Sequence, residues 1–144
     1  MVEITITGTD QLIARLGRVE GANILRDPMR RAVLRLEAAM KEYPPERPGQ
    51  RYVRGRGMPD ADGIVRRLTS EQLGKKWTTR IKQEGEYLVG SVGNNASYGP
   101  FVQSRRFQAR VHQGRWRTDE QAMNENAAAI IGDFEAAIRR ALGG

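Results

Sequence analysis

Apolar and polar positions alternate from Val2 to Thr7 (Val-Glu-Ile-Thr-Ile-Thr), which predicts a short half-buried strand by its period of two and its β-branched content. Gly8 ends it. Thr9 or Asp10 then caps a helix whose apolar face is Leu12, Ile13, Leu16 and Val19, and Gly21 breaks that helix. Asp27-Pro28 reads as an N-cap followed by proline at the first helical position, where the missing N–H leaves no bond unmade. From there Met29, Ala32, Val33, Leu36, Met40 and Tyr43 recur at helical spacing, one buried stripe that stops at Pro44-Pro45.

Periodicity then disappears. Residues 44–63 carry four prolines and four glycines, a composition that predicts a long mobile loop. Ile64 to Leu73 reads as a helical turn or two. Trp77 to Gln83 alternates again, Glu84-Gly85-Glu86 makes a turn, and Tyr87 to Val92 returns, which together predict a β-hairpin. Tyr98 to Gln103 is a short apolar patch containing Pro100, read as one helical turn. Phe107, Ala109 and Val111 alternate with polar neighbours and suggest a further strand. Thr118-Asp119-Glu120-Gln121 is a capping box, and the helix it opens runs to about Leu142. Its stripe is Met123, Ala127, Ile130, Ile131, Phe134, Ile138 and Leu142, expected to pack with Leu36 and Met40 against the hairpin. The fold class that follows is α+β, an antiparallel sheet with helices packed on one face and a long C-terminal helix. With 144 residues and no internal repeat, a single domain spanning 1–144 is expected.

Charge adds what the pattern lacks. Lys plus Arg is 24 against 17 for Asp plus Glu, a net charge of +7. Four arginines and no acid lie between Arg47 and Met58, and five arginines and no acid lie between Arg105 and Arg117. The excess therefore sits in two loop-like stretches, which suits nucleic acid, an anionic surface or an acidic protein partner. Mean hydropathy is -0.61, so the core is thin and segments ordered by a partner are expected.

Candidate chemistry is sparse. There is no cysteine and only one histidine, His112, which excludes a disulfide scaffold, a zinc ribbon, a thiol nucleophile and a multi-histidine metal site. Asp60-Ala61-Asp62-Gly63 begins like a calcium loop but lacks the third ligand and the closing glutamate. Gly55-Arg56-Gly57 lacks the lysine and hydroxyl residue of a phosphate-binding loop. No apolar run reaches the roughly 18 residues a membrane-spanning helix needs. The expectation is a soluble protein of a reducing compartment with no enzyme activity, no catalytic residue, no metal, no cofactor and no membrane. The segment from Arg105 to Arg117 interleaves arginines with Phe107 and Trp116. That pattern fits nucleic-acid contact and a protein interface equally well.

The order of motifs resembles one family. Ile4-Thr5-Ile6-Thr7-Gly8 leading into Asp10-Gln11-Leu12, then Tyr43-Pro44-Pro45-Glu46-Arg47-Pro48-Gly49-Gln50-Arg51-Tyr52, are similar to the opening and the post-helix loop of small tail-completion proteins. These are the head–tail joining, minor tail or neck proteins of long-tailed bacteriophages and prophages. Leu73-Gly74-Lys75-Lys76-Trp77 resembles the entry to their hairpin, and Val89-Gly90-Ser91-Val92-Gly93-Asn94-Asn95 resembles its second strand. Tyr98-Gly99-Pro100-Phe101-Val102-Gln103 is similar to their Tyr-Ala-Pro-Tyr-Val segment, and His112 to Thr118 fits the approach to their final helix. Residues 54–72 are longer than the Arg-Thr-Gly-Leu connection of that pattern.

The resemblance implies a virion structural protein of the neck or head-proximal tail end, made in the bacterial host cytoplasm. It implies a homo-oligomeric ring, with a hexamer as the candidate stoichiometry. Its neighbours would be the connector or head-completion protein and the tail-tube protein, with DNA passing nearby. A small basic nucleic-acid-binding protein is the alternative. The candidate assembly interface comprises Arg47, Arg51, Tyr52, Arg54, Arg56, Tyr98, Phe101, Arg105, Arg106, Arg110, Arg115, Trp116 and Arg117. Glu20, Glu37, Asp133 and Glu135 are candidates for an opposing acidic face. Residues 44–63, and part of 104–117, are expected to be mobile in the free subunit and ordered on assembly, because apolar residues there are too few to offset backbone ordering. Reversing Arg51, Arg54 and Arg56 to glutamate should leave the subunit folded and abolish assembly. Trypsin should cut the free subunit at these arginines and spare the assembled form; equal resistance of both would contradict the expectation.

Overall fold

The computed structural model of the protein describes residues 2–6, 18–45, 48, 61–64, 72–85 and 87–143. Three strands form one antiparallel sheet: β1 (Val2–Ile6), β2 (Trp77–Glu84) and β3 (Tyr87–Asn94), in the order β1-β3-β2. Helix α1 (Arg18–Lys41) precedes the hairpin, a single turn α2 (Gln72–Lys75) enters it, and a short α3 (Gly99–Gln103) follows it. A 3-10 turn (Arg110–His112) leads to the long C-terminal helix α4 (Asp119–Ala141). This is the α+β architecture expected from the pattern, with the helices on one face of an antiparallel sheet.

Register explains which face is covered. Val2, Ile4 and Ile6 pair with Val92, Gly90 and Leu88, and Thr79, Ile81 and Gln83 pair with the same three residues from the other side. All of these share one face. The other face carries Glu3, Thr5, Arg80, Lys82 and Ser91, whose polarity suits water, together with Val89, which lies buried between Thr5 and Lys82. On the covered face α1 crosses the hairpin, and its buried stripe is Leu25, Met29, Ala32, Val33, Leu36 and Met40. These residues join Val2, Ile4, Leu88, Val92, Ala122, Ile130 and Phe134 in one core cluster.

Gly90 makes this packing possible. A Cβ at that position would lie 2.7 Å from Val33 Cγ1 and closer still to Met29 Sδ. The helix therefore approaches the central strand more closely than any side chain on β3 would permit.

Several expectations are corrected. Neither Gly21 nor Asp27-Pro28 delimits a helix; α1 is continuous from Arg18 through both. Pro28 leaves the carbonyl of Ile24 without its intrahelical donor, but its ring is fully buried, and Leu25 extends the buried stripe one turn earlier. Burial of two extra apolar groups outweighs the lost bond. The rest of the predicted first helix, residues 9–17, lies outside the described residues. Tyr43 falls beyond the end of α1 and is half-buried.

The expected strand at Phe107 to Val111 is absent: the chain there forms turns and the 3-10 helix, and Phe107 and Val111 are 54% and 67% exposed. Side-chain hydrogen bonds, described below, hold it in that shape. The α4 stripe is narrower than predicted. Ala122, Ile130, Phe134 and Ala137 are buried, whereas Ile131 and Leu142 are exposed. The cause is that α4 packs chiefly on α1 and meets the sheet at β1, so one side of the helix alone is covered. It does not lie on the hairpin, which α1 already occupies. An ion pair from Arg35 to Asp133, 3.4 Å, spans the α1–α4 seam.

Three substitutions probe this arrangement by denaturant unfolding. Phe134→Ala should cost about 3–5 kcal/mol, since a buried phenylalanine leaves a cavity. Gly90→Ala should cost about 1–3 kcal/mol by overpacking against Met29 and Val33. Ile131→Lys should stay within about 0.5 kcal/mol of the parent, as expected for an exposed position.

Candidate assembly interface

Between β3 and α4 the chain has little secondary structure, yet it is fixed at many points. The entry is set by Asn94, whose Nδ2 donates to the Leu73 carbonyl (2.6 Å) while its Oδ1 accepts from the Ala96 amide (2.8 Å). Leu73, Ala96 and Val102 then form a second small core, with Trp116 packed against it. The Trp116 ring meets Tyr43 edge-on at 4.9 Å between centroids. Gly74 leaves room for that tyrosine: a Cβ there would come within 3.2 Å of the Tyr43 hydroxyl.

Two glutamines act as staples. Gln103 is buried, and its Nε2 donates to the carbonyls of Met40 (2.8 Å) and Arg117 (3.3 Å), tying the segment to the end of α1. Gln108 Nε2 donates to the carbonyls of Val102 (2.8 Å) and Trp116 (3.1 Å), closing the segment on itself. These bonds satisfy carbonyls that a strand or helix would otherwise have paired. The exit is the predicted capping box: Thr118 Oγ1 accepts from the Gln121 amide, and Gln121 Oε1 accepts from the Thr118 amide.

The arginines divide into two groups. Arg117 turns inward: Nη1 donates to the Ala39 carbonyl (3.0 Å) and to Glu42 (2.6 Å), and Nε donates to Glu125 (2.8 Å). The Glu42 hydrogen bond, with Glu125 beside it, holds the guanidinium above its ordinary pKa. Arg115 reaches the Pro45 carbonyl at 3.3 Å. Arg105 is exposed but ion-paired with Glu120, and its own amide donates to Asp119 Oδ1. Arg106 lies over the Phe107 ring, 5.2 Å from its centroid. Arg110 is exposed and has no ion pair among the described residues.

The sequence-derived interface is thus sorted by the fold. Tyr98, Phe101, Arg105, Arg106 and Arg110 point outward, whereas Arg115, Trp116 and Arg117 are half-buried: Arg115 toward Pro45, Trp116 against the second small core and Tyr43, and Arg117 between α1 and α4. Arg47, Arg51, Tyr52, Arg54 and Arg56 lie outside the described residues. Of the expected acidic face, Asp133 is engaged by Arg35, Glu37 pairs with Lys41, and Glu135 is exposed. The Glu20 side chain lies outside the described residues. Sequence reasoning missed Phe107 and Val111 as surface residues, because their alternation imitated a strand. It also missed the glutamine staples, which have no periodic signature.

His112 sits within this segment with its Nδ1 buried and unpartnered, 6.3 Å from the Trp116 ring between centroids. Burial, and then the charge of Arg115, push its pKa below the usual 6.5. Among the described residues no three His, Asp or Glu side chains converge into a metal-binding cluster, and no helix is long and apolar enough to cross a membrane. Comparison with protein-family models, with curated proteins and with solved structures finds no match.

Two measurements test the staples and the histidine. Gln108→Leu should lower stability by about 0.5–1.5 kcal/mol, the net worth of hydrogen bonds to part-buried carbonyls. For His112 the folded pKa lies below the unfolded one, so the unfolded state takes the proton first. Stability from this group is therefore full above about pH 6.5 and is lost as pH falls from there through the lower pKa of the folded state. Thermal unfolding should show a steeper fall in Tm on acidification for the parent than for His112→Asn.

Proposed function

We propose that this chain is a structural subunit of a bacteriophage virion, forming a ring at the neck or head-proximal end of the tail and joining tail to head. Its partners in this reading are further copies of itself, the connector or head-completion protein, and the tail-tube protein. The observation that carries it is the stapled segment 98–118, a preformed surface on which Tyr98, Phe101, Phe107 and Val111 stand exposed beside Arg106 and Arg110. Exposed apolar side chains on an anchored scaffold suit burial against another protein. The resemblance of the motif order to that of tail-completion proteins supplies the class of assembly.

A ring of more than two subunits with cyclic symmetry requires two dissimilar patches on each subunit, because its contacts are head-to-tail, and it closes when the rotation between neighbours divides a full turn. A second exposed apolar set is carried by the helical layer: Leu34 on α1, Ile131 on α4 and Leu142 just beyond it. That set is chemically distinct from the aromatic and arginine-rich one.

The charge arrangement weakens the nucleic-acid alternative. Of the five arginines between Arg105 and Arg117, two are already paired with glutamates and a third is directed at a backbone carbonyl. Five phosphate contacts would cost roughly 500-fold in affinity between about 50 and 200 mM salt, whereas the two remaining arginines account for roughly 12-fold.

Light scattering and negative-stain imaging of the purified protein test the assembly. Closed rings are expected, and Phe107→Ser with Val111→Ser should reduce them to subunits that keep the parent's far-UV circular dichroism and unfold with a midpoint independent of protein concentration. A protein that stays monomeric at every concentration, and binds duplex DNA with the steep salt dependence of five contacts, would sink the proposal.

A further inference from the structure

Among the described residues the sheet ends on an unpaired strand at each side, β1 on one and β2 on the other. The direction of their free backbone groups follows from one bond. The Asn95 amide donates to the Lys76 carbonyl (3.0 Å), which marks that pair as bonded, and bonded pairs alternate along an antiparallel ladder. Thr78, Arg80 and Lys82 therefore turn their backbone groups to β3, whereas Thr79, Ile81 and Gln83 turn theirs to the open edge. On β3 the groups of Leu88, Gly90 and Val92 are left for Ile6, Ile4 and Val2. Glu3 and Thr5 accordingly face the other open edge.

The two edges match each other. In a parallel pair, the N–H and C=O of one residue bond to the residues before and after the one beside it. With Glu3 beside Arg80, the Glu3 amide meets the Thr79 carbonyl, and the Glu3 carbonyl meets the Ile81 amide. Thr5, then beside Lys82, joins Ile81 and Gln83 in the same way. Every side chain keeps its own face in this register. Ile4 lies beside half-buried Ile81 on the covered face, and exposed Glu3 lies beside exposed Arg80 on the other. Arg80 has no ion pair among the described residues, whereas Lys82 is paired with Glu84. An antiparallel join of these strands would instead oppose Glu3 to Thr79 or Ile81, and so turn one apolar face to water. Joining β2 to a second β2 over nearly its whole length would set Arg80 against Arg80 or against Lys82, where like charges repel.

We propose that a second copy of this chain adds its β1 in parallel to β2, with Glu3 beside Arg80, so that one sheet runs through successive copies. The two edges lie on opposite sides of the sheet, which makes the contact head-to-tail, the kind a ring requires. The inference rests on the reading of the chain as a self-assembling subunit, and gives its copies a further contact at the sheet.

Cross-linking tests it, because the chain has no cysteine of its own. Within one copy Thr5 and Lys82 flank Val89 on neighbouring strands. They are roughly 10 Å apart, twice the strand spacing and too far for a disulfide. Under mild oxidation, Thr5→Cys with Lys82→Cys should give a ladder of covalent oligomers in a denaturing gel, and each single variant should stay uncoupled. Thr5→Cys with Thr78→Cys, out of register, should couple roughly tenfold less. Adding Arg80→Glu to the first pair should slow coupling roughly threefold or more, and Glu3→Arg on top of it should restore the rate. Coupling by either single variant at the rate of the pair would mean that like edges meet, and would overturn the proposal. Rings in negative stain without coupling would overturn the pairing and leave the ring reading standing. A ladder from copies that build open filaments would uphold the pairing and sink the ring. A folded protein that neither couples nor assembles would overturn both.

Discussion

Everything in this fold hangs on how near α1 comes to the middle of a three-stranded sheet. Such a sheet has one interior strand, β3, and a helix laid over it must seat against that strand to cover its neighbours as well. Gly90 supplies the seat: Met29 and Val33 occupy the space where its side chain would be. Because α1 is pressed into the sheet, Ile4 and Ile81 on the flanking strands can reach the same apolar layer from either side. It also leaves the outer side of α1 available for α4. The order of layers (sheet, α1, α4) follows from that single close approach.

The regular elements were legible in the sequence, and the reasons are physical. β-Branched alternation at Val2 to Ile6, the hairpin around Gly85, and the capping box at Thr118 are local signals that the tertiary structure had no cause to override. Pro28 was misread because its local preference for a first helical turn is outweighed by burial, which a chain read residue by residue does not display. The α4 stripe was read too wide for a related reason. Hydrophobic spacing reports what a helix could bury, and α4 has a partner on one side alone.

The candidate site was legible in part. Composition located the arginine-rich segment, and Arg106 and Arg110 do face outward, but composition has no means of separating them from Arg117. That residue's role is set by Glu42 and Glu125, which lie 75 and 8 positions away in the chain and meet it through the packing of α1 on α4. The staples of Gln103 and Gln108 were invisible for another reason. They satisfy backbone carbonyls, and which carbonyls need satisfying is known only once the irregular path of the segment is known.

The pairing of Val2 with Val92 carries a consequence in time. Of the three strands, β1 leaves the ribosome first, yet among the described residues its neighbour in the sheet is β3, some 80 residues later in the chain. The hairpin of β2 and β3 closes through a short turn, within microseconds once both strands are free, whereas β1 must wait for the large loop between them to close. Until then Val2, Ile4 and Ile6 remain an unpaired apolar strand on the nascent chain, open to capture by a chaperone or by another copy's hairpin. The last strand to be placed is the first to be made.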